Sequence, residues 1–168
     1  IAWHFDSRAD WDLGDAMTGR GLETLIQTLI IDSPREDLGA SYGGSVVVTP
    51  WSVPIERMDL TIQINGDPER LDEIRTAIFV GLTDLTENGP SQSAFDRAVA
   101  VLRADYDFVS NYTFTAQNAE AVSGFGGGAI TTINRNRELD QVSPADVRRL
   151  AARLINFETY GEVARVPA

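Results

Sequence analysis

From Arg57 to Ile64 the chain alternates without interruption. Met58, Leu60, Ile62 and Ile64 are apolar; Arg57, Asp59, Thr61 and Gln63 are polar. A period of two is that of a β-strand, and it puts all four apolar side chains on one side. Strands buried on both faces of a parallel sheet read instead as unbroken apolar runs. This segment therefore predicts an antiparallel sheet with one covered face. The β-branched stretch SYGGSVVVTP, residues 41–50, predicts a strand just before it, with the WSVP that follows as the turn between them. Trp3 to Phe5 reads as a short strand, and YGEVARVP near the end as a closing one.

The covering layer is predicted from helical spacing. From Asp15 onward, Leu22, Leu25, Ile26, Leu29 and Ile30 fall on one face. Asp67 is a natural N-cap with Pro68 at the first helical position. The helix it opens turns Leu71, Ile74, Ile78, Leu82 and Leu85 inward and stops at Asn88-Gly89. Ser91 or Ser93 caps the next helix, striped by Phe95, Val99, Leu102, Tyr106 and Val109. Ser143-Pro144-Ala145-Asp146 opens a last helix carrying Val147, Leu150, Ala151 and Leu154. The order is strand, helix, strand, strand, three helices, strand, with no parallel β-α-β rhythm. The fold class expected is α+β: an antiparallel sheet with helices packed on one face. At 168 residues the chain is expected to form a single domain, 1–168. It opens on IAWHF, already in a strand and without an initiator Met, so a piece of a longer polypeptide is expected.

Composition narrows the chemistry. A formal net charge of −11 repels phosphate backbones, so nucleic acid is not an expected partner. No run of apolar residues approaches the ~18 that a membrane span needs. The absence of cysteine removes disulfides, thiolate metal sites and cysteine nucleophiles together. All 14 Lys-or-Arg residues are Arg, which we read as codon bias in a GC-rich, bacterial genome. His4 is the sole histidine, so a metal site or a Ser-His-Asp triad within this chain would have to use it. It stands between Trp3 and Phe5 with no partner motif, and an ordinary structural role is expected. Glu69, Asp72 and Glu73 lie in the first turns of a helix, where the macrodipole favours negative charge. GFGGGAI follows no strand and lacks a P-loop Lys, so it reads as a connection.

One junction carries more than a connection needs. In SPREDLGASYG, residues 33–43, Pro34 is expected to interrupt the helix and Gly39 to make the left-handed turn into the strand. Arg35 and Tyr42 then have two readings. They are a helix-terminating Arg and a strand-starting Tyr, or they reach together towards one edge of the sheet.

PREDLGASYG, set after a helix and before a strand pair, resembles the C-terminal half of the M16 (insulinase/pitrilysin) zinc metallopeptidases. In that half an Arg-Glu pair precedes a Gly, a small residue and a Tyr. INGDPERLDEIRTAIFVGLTDLTENGPSQSAFDRAVAVLRADY is similar to the family's strand, Pro-initiated helix, Gly-Pro break and long helix. QVSPADVRRLAARLIN resembles its penultimate helix and ETYGEVARVPA its closing strand, so the likeness spans nearly the whole chain. The family's His-x-x-Glu-His motif is absent. The resemblance therefore implies a non-catalytic C-terminal domain. It would pair with an N-terminal catalytic domain, in the same chain or in a partner subunit of a homo- or hetero-oligomer, and zinc is expected there and not here. It assigns Arg35 and Tyr42 to binding peptide substrate close to that zinc. It implies a periplasmic or secreted location, with a cytoplasmic one as the alternative. A proteolytically inactive homologue acting as scaffold is the alternative function. Pro34 departs from the family, which usually carries a large apolar residue there; the helix is then expected to end a turn early and to shift Arg35.

Overall fold

The computed structural model describes residues 1–8, 13–28, 41–51, 55–110 and 135–165. Among the described residues four strands form one antiparallel sheet: β1 (Ala2–Ser7), β2 (Ser41–Trp51), β3 (Arg57–Gly66) and β4 (Gly161–Val163), in spatial order β2-β3-β1-β4. The helices are α1 (Leu13–Ile26), α2 (Leu71–Glu87), α3 (Gln92–Ser110), α4 (Arg135–Leu139) and α5 (Pro144–Leu154). The class is α+β.

The alternation in β3 sets the layers. Met58, Leu60, Ile62 and Ile64 are all buried. In register beside them stand Val46 and Val48 of β2 and Trp3 and Phe5 of β1, also buried. This one face receives the helices. Leu22, Leu25 and Ile26 of α1, Ile74, Ile78, Leu82 and Leu85 of α2, and Val147, Leu150, Ala151 and Leu154 of α5 close the main core over it. A smaller cluster of Met17, Leu102 and Leu139 joins α1, α3 and α4. The opposite face of the sheet carries His4, Thr61 and Gln63, and beside them the half-exposed Val47.

Local signals hold these elements in place. The Asp67 carboxylate accepts the Glu69 N–H at 2.9 Å over a single 3-10 turn, Pro68–Arg70, that leads into α2. Ser91, rather than Ser93, caps α3, accepting the Ala94 N–H at 3.2 Å. Ser143 and Asp146 form a reciprocal capping box at the start of α5. Donation from the Ser143 hydroxyl and backbone N–H to its carboxylate holds Asp146 below its ordinary value.

Four features differ from the sequence-based expectation. Helix α1 begins at Leu13 rather than Asp15, and β2 runs on through Trp51, the first residue of the expected turn. The closing strand is only three residues long. The short α4 carried no cap or stripe of its own; it is held by one buried residue, Leu139, against α1 and α3. Asp59, on the polar side of β3, is 7% exposed, with Arg57 Nε 3.3 Å from its carboxylate and the Trp51 ring 5.3 Å from the Arg57 guanidinium carbon. The expected stop at Pro34 and Gly39, the inward Leu29 and Ile30, and GFGGGAI lie outside the described residues, as do the side chains of Tyr106 and Val109.

Candidate functional site at the bulged end of β2

The junction singled out in the sequence enters the sheet at Ser41. Arg35 lies outside the described residues. Tyr42 is described through its backbone, which belongs to β2. Ser41 is in register with Gly66 and Gly43 with Asn65, so two steps along β2 match one step along β3. Tyr42 is the extra residue of a β-bulge. A bulge of this kind re-aims a side chain and bends the strand, and bulges gather beside functional sites. Gly43 has φ +126°, while a Cβ there would meet nothing within 4 Å. Glycine is thus needed for the backbone angle and not for space. Beyond Gly44 the pairing with β3 is regular to Trp51↔Arg57.

His4 and two of the three carboxylates at the helix start have structural partners. His4 is exposed, and its Nδ1 lies 3.1 Å from Thr61 Oγ1 across the β1–β3 pair. Among the described residues no three His, Asp or Glu side chains gather as a metal site would require, so these residues do not fit a zinc centre. Glu69, Asp72 and Glu73 are exposed, with Asp72 paired to Arg75 and Glu73 to Arg70 at 2.7 Å.

Reading the sequence missed the second polar centre. Glu162 of β4 accepts from Trp3 Nε1 at 2.8 Å and from Arg75 Nε and Nη2 at 3.1 and 2.5 Å. The Arg75 fork, and then the Trp3 donor, hold its carboxyl below the ordinary range. Beside it Phe79 packs against Trp3, Phe157 and Tyr160, tilted or edge-on, at centroid distances of 5.9, 5.5 and 5.4 Å. An open groove of about 500 Å³ runs along α2 between Arg75 and Glu87, past the exposed Val80. These groups join residues up to 159 positions apart, and no short motif announces them. Among the described residues no helix is long and apolar enough to cross a membrane.

No protein-family model matches the sequence, and no curated protein matches it significantly. Solved structures do match the fold. The periplasmic protease PqqL from Escherichia coli superposes with a TM-score of 0.73 at 15% identity, over 92% of this chain and 17% of that one. The inactive peptidase domain of a candidate zinc protease from Bordetella parapertussis gives 0.70 at 13% identity, over 99% and 92%. An M16 peptidase inactive domain from Pseudomonas fluorescens gives 0.65 at 17% identity, over 99% and 42%. The chain therefore spans less than a fifth of the Escherichia coli protease and nearly all of the Bordetella domain. With its four-stranded sheet, its helical layer and these superpositions, the chain has the fold of an M16 peptidase domain.

Proposed function

We propose that this chain, residues 1–168, is a non-catalytic M16-type domain of a longer protein. In this reading it encloses and positions peptide substrate opposite a zinc site in another domain or subunit. The observation that carries the reading is the M16 domain fold on a chain with one histidine, which cannot supply the two of His-x-x-Glu-His. The bulge at Tyr42 supports the placement of the substrate contact. By sequence position Arg35 lies ahead of β2 and Tyr42 at its start, and a guanidinium and a phenol are both donors suited to peptide carbonyl oxygens. A donor aimed at the oxygen where charge grows during hydrolysis is worth on the order of a hundredfold in rate. A periplasmic or secreted location belongs to the same reading.

The test is Tyr42→Phe in the parent assembly. We expect kcat to fall about a hundredfold, with fold and zinc content unchanged. Kinetics equal to wild type would leave Tyr42 as a strand residue and end the proposal for it.

A second reading is a proteolytically inactive scaffold or partner subunit. It is favoured by the neighbours from Bordetella parapertussis and Pseudomonas fluorescens, both described as inactive domains. The sequence of the parent and of its partner decides between the two. A His-x-x-Glu-His motif in either supports the protease, and its absence from both supports the scaffold.

A further inference from the structure

Among the described residues β2 is the outermost strand on its side of the sheet, so one row of its backbone groups faces away from β3. Which row follows from the register. Ile64 donates its N–H to Ile1 O at 2.8 Å and accepts from the Ile1 amino group at 2.9 Å. The even-numbered residues of β3 therefore bond towards β1, and the odd-numbered ones towards β2. Ser45, Val47 and Thr49, opposite Gln63, Thr61 and Asp59, bond inward. Gly44, Val46, Val48 and Pro50 turn their backbone groups outward.

Such a row is a template for another strand. Proteins commonly guard it with charge on the strand itself, yet SYGGSVVVTPW carries no charged residue. Here two groups of the outward row are occupied from α1. Val48 N–H donates to Glu23 Oε2 at 3.0 Å. Gly44 C=O accepts from Gln27 Nε2 at 3.4 Å. Pro50 has no N–H to offer. Arg20 Nη1 holds the Glu23 carboxylate at 3.2 and 3.3 Å. Gly19, Glu23 and Gln27 are four residues apart and so line one side of α1 and the turn that continues it. At Gly19 an added Cβ would lie 3.0 Å from Val48 Cγ1, closer than ordinary contact. The missing side chain lets the helix approach until Glu23 and Gln27 can reach the strand.

We propose that Glu23 and Gln27 form a clasp that keeps a second copy of this chain from adding its own β2 to this edge. The second copy is the occupant the strand itself favours. β2 is an uncharged eleven-residue strand with three successive valines, and Val47 is 48% exposed. A strand of this composition is complementary to its own antiparallel copy.

The test compares Glu23→Ala/Gln27→Ala with Glu23→Gln in the 168-residue chain. Sedimentation velocity over a concentration series reads association, and hydrogen exchange reads the Val46 and Val48 amides. The double variant is expected to associate more than wild type as concentration rises. Its Val48 amide is expected to exchange about tenfold faster or more when dilute, as loss of a charge-assisted bond implies. Glu23→Gln keeps an acceptor oxygen and is expected to behave as wild type. A double variant of native circular dichroism that sediments as wild type overturns the proposal. So does association that leaves the Val46 and Val48 amides unprotected in the associated state. Should the double variant unfold, Glu23→Ala alone is measured against the same two outcomes.

Discussion

Among the described residues β2 and β4 bound the same sheet on opposite sides, the first with eleven residues and the second with three. On the long side the helix reaches the strand's backbone, through Glu23 and Gln27. On the short side it reaches a side chain: Arg75 of α2 and Trp3 of β1 both bond Glu162. The difference follows from length. Three residues offer too few ladder bonds to hold a strand, so β4 depends on one anchored carboxylate and the aromatic ring cluster beside it. Eleven residues hold themselves, and the need there is to occupy what the ladder leaves outward.

Three substitutions probe that contrast. Trp3→Ala should have the largest effect, because the side chain is fully buried, packs against Phe79 and donates to Glu162. A loss of about 3–5 kcal/mol is expected in chemical denaturation. A loss under about 1 kcal/mol would mean that β4 does not rest on Trp3.

Gly19→Ala comes next. The added methyl would lie 3.0 Å from Val48 Cγ1, so the Val48 side chain or α1 must give by a few tenths of an ångström, at an expected cost of about 1–2 kcal/mol. Unlike Trp3→Ala, it should speed exchange of the Val48 amide while leaving the amides of β4 as they were. Equal exchange at both edges would break the distinction.

Glu162→Gln is the smallest at neutral pH, about 1 kcal/mol, because Arg75 is a third exposed and the pair is partly screened. Its signature is pH dependence. The folded carboxyl is held below its ordinary value of 4.5, so its contribution is complete above that value and fades as pH falls through the lower folded one. Wild-type stability should therefore decline below about pH 4.5, and Glu162→Gln should decline less steeply. Part of the slope should remain in the variant, since Asp146 is depressed as well, by Ser143. Superimposable pH profiles for the two proteins would show that Glu162 carries no linked stability.

Features written in local order were legible. The alternation around Leu60, the cap at Asp67 and the capping box at Ser143 depend on residues within a few positions of one another, and each lies where its spacing indicated. Contacts across long sequence distances were not. Glu23 is an ordinary polar residue on a helix until β2 is laid beside it, 25 positions on. Glu162 sits in a stretch that reads only as a closing strand, and its value comes from Trp3 and Arg75. Asp59 was placed on the polar face, correctly by parity, but parity says nothing about what else packs there. Of the candidate site, the junction was recognised from its residues, and the bulge was not: an extra residue shows only when the partner strand is counted.

That extra residue has a mechanical consequence. Register between β2 and β3 is irregular at Tyr42 and unbroken from Gly44 to Trp51. A strand with such a joint can take up length changes arriving from the preceding connection before they reach Val46 and Val48. A one-residue change of length ahead of Gly43 can therefore be taken up at the bulge, while the packed valines behind it keep the same neighbours.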